Sequence, residues 1–204
     1  MKTDIYVLAH EIKNPLCVAE GYLEMMNEDN FQKYKKIIKE EIKNSIEILD
    51  NYMELGSLSL NTEEMDINLL LLEIKKSMKG YLKGNGINLK VRTIDDEIYL
   101  NADYQKLKQV IYNVLKNGME AEAKNITISY DIMFDKMMIT ISNDGKKLDN
   151  EAIKNIGNNY SNKILGHGIG TTLSKKIIEL HGGKIEYQNN KKKGVNTIIT
   201  LPLS

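Results

Sequence analysis

Two long stripes of apolar residues at helical spacing open the chain and constrain its fold more than any other feature. The first runs through residues 5–26, and after a polar break at residues 27–30 the second runs through residues 34–53. This spacing predicts two amphipathic helices joined by a short connection. Two helices alone leave an apolar face open, so we expect a second copy to cover it in a symmetric four-helix dimer. The apolar stripe consists of Ile5, Leu8, Ile12, Leu16, Ala19, Leu23, Met26, Tyr34, Ile38, Ile42, Ile46, Leu49 and Met53.

The rest of the chain mixes helical and strand patterns. Turn-forming residues at positions 56–63 predict a linker, and a second domain is expected to start near Met65. Its helices are predicted over residues 69–82, 103–121 and 171–180, and its strands over 87–91, 126–132, 137–141, 184–187 and 195–203. The chain is thus predicted to be an α+β protein in which a helical hairpin precedes an α/β sandwich with an antiparallel-rich sheet.

Composition narrows the range of partners and compartments. The 28 lysine and arginine residues balance 28 aspartate and glutamate residues, so no overall field favours nucleic acid or an anionic membrane surface. Cys17 is the only cysteine, which excludes an internal disulfide and fits a reducing compartment. No apolar run approaches the ~20 residues that span a bilayer. We therefore expect a cytoplasmic chain that binds no membrane or nucleic acid and, if it is the whole protein, has no membrane sensor.

A histidine in the first predicted helix is surrounded by residues suited to phosphate chemistry. Residues 10–16 read HEIKNPL. A neutral imidazole attacks phosphorus through one ring nitrogen while the other nitrogen holds the proton, and Glu11 is placed to accept that proton from His10. Asn14 lies four residues after His10, on the same helix face, where its amide can orient a phosphate, a carboxylate or a water. The segment predicts a nucleophilic histidine.

Two further segments suit the binding of a nucleotide. Asn113 and Asn117 are four residues apart in a predicted helix, so their amide oxygens share one face and suit a hydrated Mg²⁺ held with a triphosphate. Residues 166–171 read GHGIGT and lead into a helix. Glycines let backbone amides close on phosphate oxygens, and a helix start favours an anion. Together these segments predict a phosphate-binding site.

Four segments resemble the sequence boxes of sensor histidine kinases, in the order that this family shows. HEIKNPL resembles the phosphoacceptor box, residues 109–121 the asparagine box, residues 139–148 the first glycine box, and residues 166–183 the second glycine box. The resemblance implies a dimerisation and histidine phosphotransfer domain in residues 1–60. It also implies a catalytic ATP-binding domain of the Bergerat type in residues 65–204. If the chain is the whole protein, we expect it to lack a sensor region.

The resemblance also implies a role for individual residues. His10 is the phosphorylated residue, Glu11 its assisting base, and Asn14 matches a position linked to phosphotransfer and dephosphorylation. The residues implied in binding ATP and Mg²⁺ are Asn113, Asn117, Asn143, Gly145, Lys163, Gly166, Gly168, Gly170 and Thr171, with Asn117 as the metal contact. Asn143 stands where the family usually has the adenine-binding aspartate, and Lys147 replaces a glycine. An uncharged amide at position 143 is expected to weaken adenine recognition.

The resemblance therefore implies a two-component histidine kinase that phosphorylates His10 from ATP and passes the phosphate to an aspartate of a response-regulator receiver domain. Two alternatives remain at this point. One is a phosphotransferase that takes its phosphate from another protein and has a degenerate nucleotide domain, which Asn143 and Lys147 favour. The other is a non-enzymatic dimeric regulator that binds a kinase or a receiver, which the lack of a sensor favours.

Overall fold

A computed structural model describes residues 2–93, 96–149, 153 and 169–203. The predicted site residues Lys163, Gly166 and Gly168 lie outside these ranges. The chain divides into two compact units, Met1–Ser57 and Leu58–Ser204. Each unit is described separately below.

The first unit is the predicted helical hairpin. Helix α1 spans Lys2–Glu24 and helix α2 spans Phe31–Ser57. In the connection, the Asn27 N–H donates to Asn30 Oδ1 at 2.8 Å, and the Asn30 N–H donates to Asn27 Oδ1 at 3.1 Å. This reciprocal pair closes the turn.

Much of the apolar stripe stays exposed in the single chain. Ala19 and Ile48 are buried, whereas Ile46 is 54% exposed and Met53 is 65% exposed. The other exposed members of the stripe are Ile5, Leu16, Leu23, Ile42 and Leu49. The hairpin therefore leaves many apolar side chains in contact with water, which a second copy would cover.

The second unit is built on a five-stranded sheet with the strand order β2-β4-β5-β7-β6. Strands β2 and β4 are parallel and all other neighbours are antiparallel, which confirms the antiparallel-rich sheet. The elements are β1 Glu63–Asp66, α3 Ile67–Gly84, β2 Asn88–Val91, β3 Tyr99–Ala102, α4 Tyr104–Glu120, β4 Asn125–Met133, β5 Lys136–Asn143, α5 Ile169–Leu180, β6 Lys184–Asn189 and β7 Val195–Pro202.

One face of the sheet is buried beneath helices. On β4, Ile126, Ile128 and Tyr130 are buried, while Thr127 and Ser129 between them are half-buried. Strands β5 and β7 alternate in the same way. The period of two places every second side chain in one core with the buried faces of α3, α4 and α5. The α/β sandwich is thus as predicted.

A small two-stranded sheet was not predicted. Strands β1 and β3 pair antiparallel, with Met65 opposite Leu100. Each strand has four residues, and half of their side chains are exposed. A four-residue segment is too short to show a clear apolar alternation. Its pairing partner also lies more than thirty residues away, so the local sequence gives no sign of the pairing.

His181 fastens the end of α5 to the start of α4. Its Nδ1 donates to the Ile177 carbonyl at 2.8 Å, and its Nε2 accepts the Asp103 N–H at 2.9 Å. Asp103 caps α4 by accepting from the Lys106 N–H at 3.0 Å. The two helices that carry predicted nucleotide residues are therefore joined by a neutral histidine.

Candidate functional site

His10 is exposed on α1, one helical turn before Asn14. The Asn14 side-chain nitrogen lies 3.2 Å from His10 Nδ1. Because residues four apart share a helix face, this contact follows directly from the sequence spacing. It engages one ring nitrogen and leaves Nε2 directed away from Asn14. Glu11 is half-buried in the same turn, and its Oε2 oxygen is buried.

Asn113 joins α4 to the start of α5 in the second unit. Its amide nitrogen donates to Ser174 Oγ at 2.9 Å, and Ser174 is buried. A Cβ on Gly170 would lie 2.6 Å from Asn113 Oδ1, so the absence of a side chain at Gly170 allows this approach. Thr171 follows in the first turn of α5 and is half-buried. The predicted residues Asn113, Gly170 and Thr171 therefore lie together.

Asn143 lies against the same helix α4, at the end of β5. A Cβ built on Gly118 would lie 3.7 Å from Asn143 Nδ2. Asn117 precedes Gly118 and is half-buried, as is Asn143. Asn143 Oδ1 accepts the Gly145 N–H at 3.0 Å, which orients the amide. The helix that carries Asn113 and Asn117 thus also packs against Asn143.

Gly145 and Gly194 are both required by close packing around Asn143. A Cβ on Gly145 would lie 2.5 Å from the Ala121 carbonyl oxygen at the end of α4. Gly194 has a φ of +87°, and a Cβ there would overlap the Asn143 carbonyl oxygen. Asn190 also donates to that carbonyl, at 3.0 Å. Sequence reasoning assigned no role to Gly194 or Asn190, because only the folded β6–β7 hairpin brings them to Asn143.

Asp144, which directly follows β5, binds the start of the neighbouring strand β4. One carboxylate oxygen accepts the N–H groups of Lys124 and Asn125 at 2.8 and 2.9 Å, and the other accepts from Asn125 Nδ2 at 2.8 Å. The side-chain and backbone hydrogen bonds from Asn125 lower the pKa of Asp144 to about 2. Since Asn143 pairs with Ile126 in the sheet register, Asp144 lies one residue beyond the ladder.

Lys147 lies beside the β6–β7 hairpin, where the family usually has glycine. Its Nζ donates to the Lys191 carbonyl at 3.1 Å. Next to it, the Leu148 N–H donates to Asn189 Oδ1 at 2.9 Å, and Asn189 Nδ2 donates back to the Leu148 carbonyl at 2.7 Å. These bonds hold residues 147–148 against the hairpin.

Two negative findings concern metal binding and membrane spans. Within residues 2–149, 153 and 169–203, leaving out 94–95, no group of three or more histidine, cysteine, aspartate or glutamate side chains is placed to hold a metal ion. None of the helices in the described part of the chain is both long enough and apolar enough to cross a bilayer.

Comparison with protein families assigns both units. Residues 5–60 match the His Kinase A (phospho-acceptor) domain, and residues 102–204 match the histidine kinase-, DNA gyrase B- and HSP90-like ATPase family. The first match contains His10, Glu11 and Asn14. The second contains all the residues predicted to bind nucleotide.

Similar proteins are sensor kinases of Bacillus. Sporulation kinase B of Bacillus subtilis (strain 168) is 30% identical over 206 residues, which cover 96% of this chain and 48% of that kinase. Sensor protein DegM of Bacillus sp. (strain B21-2) is 29% identical over 200 residues, which cover 96% of this chain and 53% of DegM. The chain thus spans about half the length of these relatives.

Solved structures show the same fold. The crystal structure of histidine kinase ThkA in complex with response regulator protein TrrA matches with a TM-score of 0.81 and 27% identity, covering 96% of this chain and 60% of that chain. Histidine kinase AdeS of Acinetobacter baumannii matches with a TM-score of 0.72 and 18% identity, covering 96% of this chain and 98% of AdeS. With a phospho-acceptor domain followed by an ATPase domain, this chain belongs to the histidine kinase family.

Proposed function

We propose that this chain transfers the γ-phosphoryl group of ATP to His10 and then to an aspartate of a response-regulator receiver domain. The observation that carries the proposal is the exposed imidazole of His10, engaged at Nδ1 by Asn14 one turn away. An exposed nucleophile on a helix is accessible to two successive partners, the ATPase unit and the receiver.

The His10–Asn14 contact suggests how the nucleophile is prepared. The amide oxygen and nitrogen of an asparagine exchange places by a flip about the terminal bond. With the Asn14 oxygen facing the ring, Nδ1 keeps its proton and donates it, so Nε2 carries the lone pair that attacks phosphorus. Glu11 is the proposed assisting base of the same helical turn. As the N–P bond forms and the bond to the leaving ADP oxygen breaks, the ring gains positive charge and Glu11 takes up the Nδ1 proton.

The residues around α4 fit an adenine nucleotide. The Asn143 oxygen has two lone pairs, and the Gly145 N–H uses one of them. The other remains suitable for the adenine amino group. Since the Asp144 carboxylate is bound to Lys124 and Asn125, we assign the adenine contact to Asn143. Gly170 and Thr171 then lie at a helix start, where backbone N–H groups favour phosphate oxygens.

Magnesium fits the donor set of the same helix. Asn117 offers a neutral amide oxygen, half-buried one turn after Asn113. Mg²⁺ prefers oxygen ligands and usually keeps several waters while it binds phosphates, so it needs no cluster of carboxylates here. When bound, it would neutralise charge on the β- and γ-phosphates. Asn113 positions α5 through Ser174. Lys163, Gly166 and Gly168 are proposed to complete the phosphate site.

Phosphoryl transfer also requires the two units to meet, because His10 and the nucleotide residues belong to different units. We propose that residues 58–62, between α2 and β1, allow this approach. Bringing the γ-phosphate to the imidazole supplies catalysis by proximity. The exposed stripe of the hairpin is proposed to form the homodimer, so each dimer presents two copies of His10.

A labelling experiment tests the proposed activity. The purified chain is incubated with γ-labelled ATP and Mg²⁺ beside the variants His10→Gln and Asn117→Ala. We expect base-stable, acid-labile label on the wild type, none on His10→Gln, and a loss of about 100-fold or more in the rate for Asn117→Ala. Equal labelling of His10→Gln would remove His10 from the mechanism.

Two further arms separate this proposal from the alternatives. A receiver domain added to the labelled chain is expected to take up the label, as the ThkA complex with a response regulator protein suggests. If the chain neither binds ATP nor becomes labelled, yet accepts phosphate from another phosphoprotein at His10, it is a phosphotransferase. If His10 takes no phosphate by any route, the regulator alternative stands.

A further inference from the structure

A groove of about 460 Å³ lies between the C-terminal half of α3 and strand β2. Leu82, Ile87 and Leu89 give it an apolar floor, and Lys75, Lys79 and Lys83 line one side. None of the residues lining this groove belongs to the phosphoacceptor or nucleotide residues described above. The groove is therefore a separate feature of the second unit.

The charge around this groove is strongly biased. Residues 67–92 contain six lysine or arginine residues and one acidic residue, Glu73, although the whole chain has a formal net charge of +0. The Glu73 carboxylate forms an ion pair with Lys108 of α4. The three groove lysines are exposed, as are Lys90 and Arg92 at β2. A local excess of positive charge in a neutral chain favours an acidic partner at this groove.

Strand β2, whose residues Asn88 and Leu89 line the groove, is an edge strand of the sheet. It is the terminal strand of the sheet in the part of the chain that the structure describes. The Asn88 and Arg92 N–H groups donate to Lys124 and Ile128 carbonyls at 2.9 Å, so these alternate residues bond toward β4. By the period of a strand, Leu89 and Val91 direct their N–H and C=O groups the opposite way. Such an edge can accept another strand.

The spacing of the lysines matches an extended chain. Residues four apart on a helix are separated by about 6 Å along its axis. Alternate residues of an extended strand repeat at about 6.7 Å. The two repeats are nearly equal. A strand placed between β2 and the helix could therefore pair a carboxylate at every second position with Lys75, Lys79 and Lys83.

We propose that this groove binds an extended acidic segment of a partner protein, which adds as a strand beside β2 and pairs its alternate carboxylates with the three lysines. Backbone bonds to Leu89 and Val91 supply the docking, and the lysines select the acidic sequence. The site is independent of ATP and of His10.

Binding is tested with a fluorescein-labelled peptide of eight residues in which glutamate and threonine alternate. Fluorescence anisotropy is measured with the full 204-residue chain. We expect the triple variant Lys75→Glu, Lys79→Glu, Lys83→Glu to bind at least about tenfold more weakly. The matched triple variant Lys33→Glu, Lys36→Glu, Lys43→Glu, on exposed lysines of α2, is expected to stay within about twofold of wild type. Circular dichroism confirms that both variants are folded.

Modified peptides test strand addition itself. A block isomer with four glutamates followed by four threonines has the same charge, and we expect it to bind more weakly. In an added strand, alternate N–H groups point to opposite edges, and only one edge faces β2. A peptide N-methylated at odd positions and one N-methylated at even positions each lose the donors of one edge, so the peptide that keeps the donors facing β2 should bind and the other should not. The amide signals of Leu89 and Val91 should shift in a ¹⁵N correlation spectrum.

Several outcomes would overturn the proposal. Equal affinity for the block isomer, or for both N-methylated peptides, would leave nonspecific charge attraction as the cause of binding. Tighter binding of an oligothymidylate or of phosphatidylglycerol vesicles would assign the basic groove to a nucleic acid or a membrane surface. No peptide binding at low salt would remove the site altogether.

Discussion

The two units of this chain bury their apolar residues to different degrees. In the ATPase unit, Ile128, Leu70 and Ile177 are each fully shielded from water. In the hairpin, Ile46 and Met53 of the apolar stripe are more than half exposed. A closed core favours stability of the ATPase unit by itself, whereas in the proposed dimer a second copy would cover the exposed stripe and add to the stability of the hairpin. If the dimer forms, the stability of the phosphoacceptor unit should depend on protein concentration.

The largest expected effect comes from placing a charge in the exposed stripe. In a symmetric dimer, Ile46→Asp would remove about 2 kcal/mol of apolar burial from each protomer and bury a carboxylate as well. We expect the free energy of dimerisation to become roughly 4 kcal/mol less favourable, because both protomers carry the substitution. Analytical ultracentrifugation over a range of concentrations measures this.

The matched control for this prediction is Leu72→Asp on α3. Leu72 is 48% exposed and Ile46 is 54% exposed, so the two side chains have similar solvent exposure in the single chain. Leu72→Asp should leave the oligomeric state unchanged. If both variants remain dimeric, the exposed stripe is not the interface and the comparison between the units fails.

A glycine in the ATPase unit should give the next largest effect, independent of concentration. Gly194→Ala places a Cβ on the Asn143 carbonyl at a φ of +87°. We expect a loss of about 3 kcal/mol in the free energy of unfolding. Gly80→Ala is the control, because Gly80 lies within α3 with open space around it and alanine favours helix there. Urea unfolding of both variants checks the result, and equal stability would contradict it.

Acid should weaken the ATPase unit through Asp144. Its folded pKa of about 2 lies below the usual 3.8, so its contribution is present above pH 3.8 and is lost as the pH falls toward 2. We expect Asp144→Asn to cost at most about 2 kcal/mol at neutral pH. The difference from wild type should shrink between about pH 4 and pH 2. Urea titrations across this range measure it, and a constant difference would exclude the ionised carboxylate as the cause.

The smallest expected effect concerns adenine recognition. Asn143→Asp should strengthen ATP binding by about fivefold to tenfold, because a charged acceptor makes a stronger hydrogen bond to the amino group. Calorimetric titration with ATP measures the change, and Thr140→Ser on the same strand is the control. Weaker binding would show that the Asn143 amide donor is needed as well as its oxygen.

Local sequence patterns predicted most of the fold and the placement of several of the proposed site residues. The spacing of His10 and Asn14 was enough to place them on one helix face, and their contact is present. The strand pattern around Ile126 and Ile139 predicted two sheet strands that are indeed paired. Such features depend on residues a few positions apart, so periodicity and helix geometry are sufficient to find them.

Other features needed contacts between distant residues. The pairing of β1 with β3 was missed because four-residue strands carry little apolar signal. The bond from Asn113 to Ser174 joins residues 61 positions apart. Asn143, and not Asp144, lies beside α4. This follows from the sheet register, which pairs Asn143 with Ile126, and from the hydrogen bonds that hold Asp144 to Asn125.

The order of residues along this chain specified its helices, its strands and the placement of His10 and Asn14 on one helix face, because each depends on short-range spacing. Only the tertiary structure placed the Asn143 amide against α4, required glycine at positions 145 and 194, and left β2 at the edge of the sheet. Those properties depend on contacts between residues far apart in the sequence, and the free energies of packing and strand pairing between those segments determine them.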